Sequence, residues 1–172
     1  MMTSTMKASH EVHKQLDWKA GLWAGVIAGL VFMMLEMAMV WLFLGGSPWG
    51  PPRMIAAMVL GRNVLPPPAT FDIGIMMAAM GVHFLLSIIY GLFVGWLVHK
   101  LESLGVALLI GAVFGLAIYL INFYLIAPVL FPWFAMARHW VSIFNHILFG
   151  IVTAGAYIGL RHKRRVTGPY PR

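Results

Sequence analysis

The sequence predicts an all-α integral membrane protein, a bundle of four transmembrane helices. Three observations carry this reading. Of the 172 residues, 61% are hydrophobic and 10% are charged, whereas a soluble domain is nearer half apolar and a quarter charged. The apolar residues fall into four runs, at about 20–44, 73–98, 104–127 and 140–160. At about 1.5 Å per residue each run spans the roughly 30 Å of a bilayer's hydrocarbon. Glycine is abundant, with 18 in the chain, which suits helices that approach closely in lipid.

Residues 1–17 are polar, carry Lys7 and Lys14, and form an N-terminal segment ahead of the membrane domain at 18–161. The first run is too long for a signal-peptide core and no small-residue cleavage site follows it, so it is expected to stay as an anchor. Gly45-Gly46-Ser47-Pro48 ends it. Pro51 and Pro52 suit the start of a short helix, Met54, Ile55, Met58 and Val59 give that helix one apolar side, and Gly61 ends it. This helix is expected to lie flat at the outer surface with Arg53 and Arg62 toward water. Pro66-Pro67-Pro68 forms a stiff link, and Thr70 or Asp72 caps the second span. The fourth span stops at Arg161-His162-Lys163-Arg164-Arg165, which opens a basic tail at 162–172.

Basic residues set the expected orientation. With the N-terminus inside, nine lie on the inner side: Lys7, Lys14, Lys19, Lys100, Arg161, Lys163, Arg164, Arg165 and Arg172. Three lie outside: Arg53, Arg62 and Arg138. This is a positive-inside distribution with both termini cytoplasmic, as in a multi-pass protein of a bacterial inner membrane. The net charge of +7 comes from span ends and forms no patch suited to nucleic acid. With no cysteine, disulfides, thiolate metal sites and cysteine nucleophiles are excluded.

The two halves of the chain resemble each other. The first span carries Gly25, Gly29 and Glu36, and the third carries Gly111, Gly115 and Asn122 at the same spacing. Pro48-Trp49 and Pro132-Trp133 follow them. The second span reads His83, Ser87, Gly91 and Gly95, and the fourth reads Ser142, His146, Gly150 and Ala154. Both halves run in–out–in, so the expectation is a parallel 2+2 internal repeat.

Ionisable side chains within spans are costly and mark candidate sites. Glu36, His83, Asn122 and His146 fall at similar depths in the outer half of the spans, on the stripes that also carry the small residues. They are the expected ligand or proton site, with Ser87, Ser142, His139, Met33, Met37 and Met80 in support. Glu36, His83 and His146 are the candidate metal ligands, and the neighbouring methionines extend that set to copper. His83 and His146 on two spans are also placed to ligate one haem. The alternative reading is structural: Glu36 pins the bundle by hydrogen bonds, and methionine fills irregular apolar space. His10-Glu11-Val12-His13 has its histidines three apart, not the four of a zinc-protease helix, and precedes the first span.

The run Gly21–Gly29, the sequence Gly46-Ser47-Pro48-Trp49 and the stretch His83–Ser87–Tyr90–Gly91 resemble a group of small, uncharacterised bacterial inner-membrane proteins, some of which carry the label sodium:proline symporter. The resemblance spans most of the membrane region and implies a four-helix membrane fold. It does not imply symport, because symporters of that kind are far larger and build sodium sites from broken helices across inverted repeats. Three functions follow as expectations. The first is a binding or accessory subunit whose Glu/His/Asn layer holds a proton, a metal ion, haem or a quinone-like molecule, alone or in a larger complex. The second is an oligomeric transporter or proton-coupled carrier using Glu36. The third is a metal-dependent membrane enzyme, disfavoured because Ser87 and Ser142 lack a nucleophile motif and no catalytic motif is evident.

Overall fold

The computed structural model describes residues 16–167, with side chains through His162. Lys7, Lys14, Arg172 and the His10–His13 motif lie outside the described residues, as do the side chains of Lys163, Arg164 and Arg165. Helix α1 (Trp18–Leu44) starts where Asp17 accepts the Ala20 amide at 2.9 Å. It ends at Gly45, whose φ of 64° is open to glycine and costly for other residues. Helix α2 (Gly50–Leu60) follows, then a 3-10 turn at Arg62–Val64. Helix α3 (Ile73–Val98) is capped by Asp72, which accepts the Ile75 amide at 2.9 Å. Helix α4 (Leu104–Leu120) is capped by Ser103. Then come a π-helical turn at Ile121–Ile126, helix α5 (Ala127–Leu130), a 3-10 segment at Pro132–Ala137 and helix α6 (Trp140–Thr167). Helix α6 therefore continues past Arg161.

Four helices are long and apolar enough to cross a membrane: Trp18–Leu44, Ile73–Val98, Leu104–Leu130 and Trp140–His162. The bundle exposes apolar side chains and buries its polar ones among small apolar residues. Leu30, Met34, Leu85, Val113 and Leu120 are exposed, while Glu36, His83, Ser87, Ser142, Asn145 and Thr153 are buried. Such a surface suits lipid, not water, and the chain is a multi-pass membrane protein.

The third span is helical throughout but irregular near its end. Pro128 has no N–H to return to the Tyr124 carbonyl, and its ring crowds that carbonyl. The helix widens into the turn at Ile121–Ile126 just before it. Arg138 supplies donors that the backbone lost: its Nε and Nη2 donate to the Phe123 carbonyl at 3.0 and 2.7 Å.

The spans pack as two close pairs, α1 with α3 and α4 with α6, joined along α1 and α6. Glycines make the closest approaches. A Cβ on Gly25 would overlap the Ser87 carbonyl and Ile88 Cα; one on Gly115 would overlap the His146 carbonyl and Ile147 Cα. A Cβ on Gly91 would strike the Gly21 carbonyl and the Gly25 backbone; one on Gly150 would strike the Gly111 carbonyl and the Gly115 amide. These contacts match Gly21 with Gly111 and Gly25 with Gly115, one helical turn away from the spacing match of Gly25 with Gly111. By contrast, α3 and α4 meet only loosely.

The two ends of the bundle differ. Near the termini the interior is solid: Ala20, Ala24, Val94, Val98, Ala107, Ala154 and Tyr157 form one buried cluster. Arg161 closes the turn between α3 and α4 by donating to the carbonyls of His99 and Leu101. The opposite end is hollow.

Candidate functional site

The hollow end holds a cavity of about 590 Å³, within the range of small-molecule sites. All four spans line it. Its walls are largely apolar and aromatic, including Phe32, Leu86, Ile118, Phe123 and Phe149. Its polar groups are Glu36, His83, Ser87, Tyr90, Asn122, His139, Ser142 and His146. The four residues expected to form a layer, Glu36, His83, Asn122 and His146, thus border one space. Of the supporting set, Ser87, Ser142 and His139 border it too, whereas Met33, Met37 and Met80 do not.

Glu36 is 6% exposed. Ser142 Oγ donates to its Oε1 at 2.9 Å, and Asn145 Nδ2 donates to its Oε2. These bonds tie α1 to α6. Glu36 does not pair with Asn122, its counterpart in the expected repeat. Asn122 instead reaches Tyr90 on α3: the amide and the phenol lie 3.3 Å apart across the loose α3–α4 seam. The π-helical turn, which begins beside Asn122, carries the residues that bound this side of the cavity.

The histidines are held by backbone. His83 Nε2 donates to the Gly29 carbonyl at 2.8 Å, where the missing side chain of Gly29 leaves room for the imidazole and for Ser87. His146 Nδ1 donates to the Ser142 carbonyl at 2.7 Å. His139 Nδ1 accepts the Ser142 amide at 3.3 Å. Phe32, one turn before Glu36, packs on both imidazoles, with ring centroids 5.6 Å from His83 and 4.9 Å from His146.

In this arrangement the candidate metal ligands face other partners. Among the described residues no three His, Asp or Glu side chains converge to hold a metal ion. Glu36 is turned to Ser142 and Asn145, and His83 to Gly29.

Asn145 is the residue that sequence reasoning missed. It is 1% exposed, and its Oδ1 has no hydrogen-bond partner. An asparagine inside an apolar span, three residues after Ser142, was the available signal.

The loops at this end form a roof. Pro52, Ala56 and Ala57 of α2 are buried, and α2 packs on α3. Met54, Ile55 and Met58 line the cavity, so the apolar side of α2 turns inward, while Val59 is exposed. Arg53 turns to carbonyls, not simply to water, donating to Val64 at 2.9 Å and to Thr70 at 3.0 and 3.1 Å. Trp133 Nε1 donates to the Met54 carbonyl at 3.0 Å, and the Arg62 guanidinium lies 5.5 Å from the Trp133 ring. The two loops at this end are thereby joined above the cavity.

No family model matches the chain, and no curated protein or solved structure matches it.

Proposed function

We propose that the chain is a small inner-membrane binding protein, acting alone or as a subunit of a larger membrane complex, with both termini cytoplasmic. Its ligand is a mostly apolar molecule with a polar head, held in the outer half of the bilayer. One observation carries this reading: a cavity of about 590 Å³ with apolar walls converges on Glu36 and its polar neighbours. A buried carboxyl that served only to pin helices has no need of a space beside it. The matching glycine contacts of the two helix pairs further support an origin by duplication of a two-helix unit.

The test is saturable binding. Purified protein in detergent is titrated with decylubiquinone and with a hydrophobic cation, following thermal unfolding. A ligand that binds only the folded state raises the midpoint. Leu86→Trp, which fills the cavity from α3, should abolish the shift. If neither probe binds saturably, the reading fails.

A second reading, a proton-coupled carrier, is favoured by the loose α3–α4 seam and the slender joint of the roof. It requires ligand uptake driven by a pH gradient in vesicles containing the protein. Equal accumulation with and without the gradient would remove it.

A further inference from the structure

Among the described residues Glu36 has no paired counter-charge. Its two partners, Ser142 and Asn145, are neutral, and no cationic side chain among the described residues is paired with it. An ionised carboxylate removed from water needs a cation or a full set of donors. None of the cavity's lining residues is lysine or arginine, and its histidines, His83, His139 and His146, pair with backbone groups and not with Glu36. Two guanidiniums of the roof are turned elsewhere, Arg53 to the carbonyls of Val64 and Thr70 and Arg138 to that of Phe123. The aromatic walls add to the asymmetry. Phe32, Tyr90, Phe123 and Phe149 line the cavity, and the face of an aromatic ring attracts cations.

We propose that the ligand of this cavity is a lipophilic monocation, an organic cation with an apolar body, whose positive group pairs with Glu36. The proposal rests on reading the cavity as a ligand site. One carboxylate sets the charge at one. A neutral quinone head would leave the carboxylate uncompensated, and an organic anion would meet repulsion from Glu36. A bare metal ion would find no ligand set and a space far wider than itself.

The test compares probes of one shape and opposite charge. Full-length protein in maltoside micelles is titrated with tetraphenylphosphonium, tetraphenylborate and decylubiquinone by equilibrium dialysis. Tetraphenylphosphonium should bind saturably, and tetraphenylborate at least about tenfold more weakly. Glu36→Gln, verified as folded by gel filtration and helicity, should lose about 30-fold or more in affinity for tetraphenylphosphonium, the loss typical of removing one partner of a buried charge pair. Glu36→Asp keeps the charge and should retain most of the binding. The comparison of the two probes on the unmodified protein needs no variant, so it decides even if Glu36→Gln misfolds. Equal binding of both ions, or Glu36→Gln binding like the parent, overturns the cation and leaves the cavity as a ligand site. Binding of decylubiquinone alone does the same. Failure of all three probes overturns the ligand site and this inference with it.

Discussion

Glu36, Ser142 and Asn145 show how unequal a hydrogen bond is between being made and being broken. Interhelical hydrogen bonds in membranes average about 0.6 kcal/mol, so the bonds from Ser142 and Asn145 add little while intact. Removing the acceptor strands two buried donors, at about 1–3 kcal/mol each. Glu36→Gln keeps an acceptor oxygen and the side-chain shape, and should hold the unfolding midpoint in detergent close to that of the parent. Glu36→Leu should lower it clearly. Equal midpoints for the two variants would show that the network contributes nothing to the bundle. Glycines give a second contrast. A Cβ on Gly115 would strike the His146 carbonyl, which belongs to rigid backbone, whereas a Cβ on Gly81 would meet nothing. Gly115→Ala should therefore destabilise by forcing α4 and α6 apart. Gly81→Ala should stabilise by about 0.5–1 kcal/mol, the usual gain of alanine over glycine in a helix interior. A stabilising Gly115→Ala would contradict the packing.

Helix α4 and the turn after it depend on a loop residue. The Phe123 carbonyl, freed in the π-helical turn, takes both of its side-chain hydrogen bonds from Arg138, and the Arg138 guanidinium also lies 4.8 Å from the Tyr124 ring. Arg138→Ala should cost about 1–3 kcal/mol by leaving that carbonyl without these donors, with the loss read as a lower unfolding midpoint. Arg138→Lys, a point charge without the two-pronged geometry, should restore only part of it; full restoration would reduce the residue to its charge. The existence of the spans was legible because length and apolar composition alone specify a helix in lipid. The π-helical turn within the third span was not, although Pro128 stands in the sequence four residues after Tyr124. A proline near a span end reads equally well as a stop. The placement of α2 was legible only in part: Met54, Ile55 and Met58 of its expected apolar side line the cavity while Val59 is exposed, and an apolar side fits a bilayer surface and a cavity roof alike. Only the tertiary contacts of Pro52, Ala56 and Ala57 choose between them. Glu36, His83, Asn122 and His146 stood out as polar residues among apolar neighbours, and they border one space. Their partners were not legible, because Asn145 and Phe32 depend on the rotation of α6 against α1, which no single-helix periodicity encodes.

At the scale of the whole molecule, the bundle is two similar helix pairs joined unequally. Along one seam α1 and α6 pack closely; along the other, α3 and α4 stand apart and meet through contacts such as Tyr90 with Asn122 and Tyr90 with Phe114. The cavity lies where the second seam stays open, toward the end roofed by α2 and Pro132–Ala137, and away from the solid cluster around Tyr157. Which compartment the roof faces follows from charge. Among the described residues the solid end carries Lys19, Lys100 and Arg161, and the roofed end carries Arg53, Arg62 and Arg138, an even split. The imbalance comes from Lys7, Lys14, Lys163, Arg164, Arg165 and Arg172, all on the side of the termini. Positive charge near span ends is retained in the cytoplasm, so the solid end should face in and the cavity out. Exposed Trp18 and Trp96 at the one end, and Trp41 and Trp140 at the other, suit the two interfacial belts but do not distinguish the sides. Reporter fusions after Arg62 and after Arg138 should be active outside, and a fusion after Lys100 inside. Replacing Lys163, Arg164 and Arg165 with glutamine removes half of that surplus, and should leave the orientation intact while Lys7 and Lys14 remain. Removing all five should produce a mixed population. A Lys100 fusion active outside in the unmodified chain would invert the molecule, and would open the Glu36 cavity toward the cytoplasm instead.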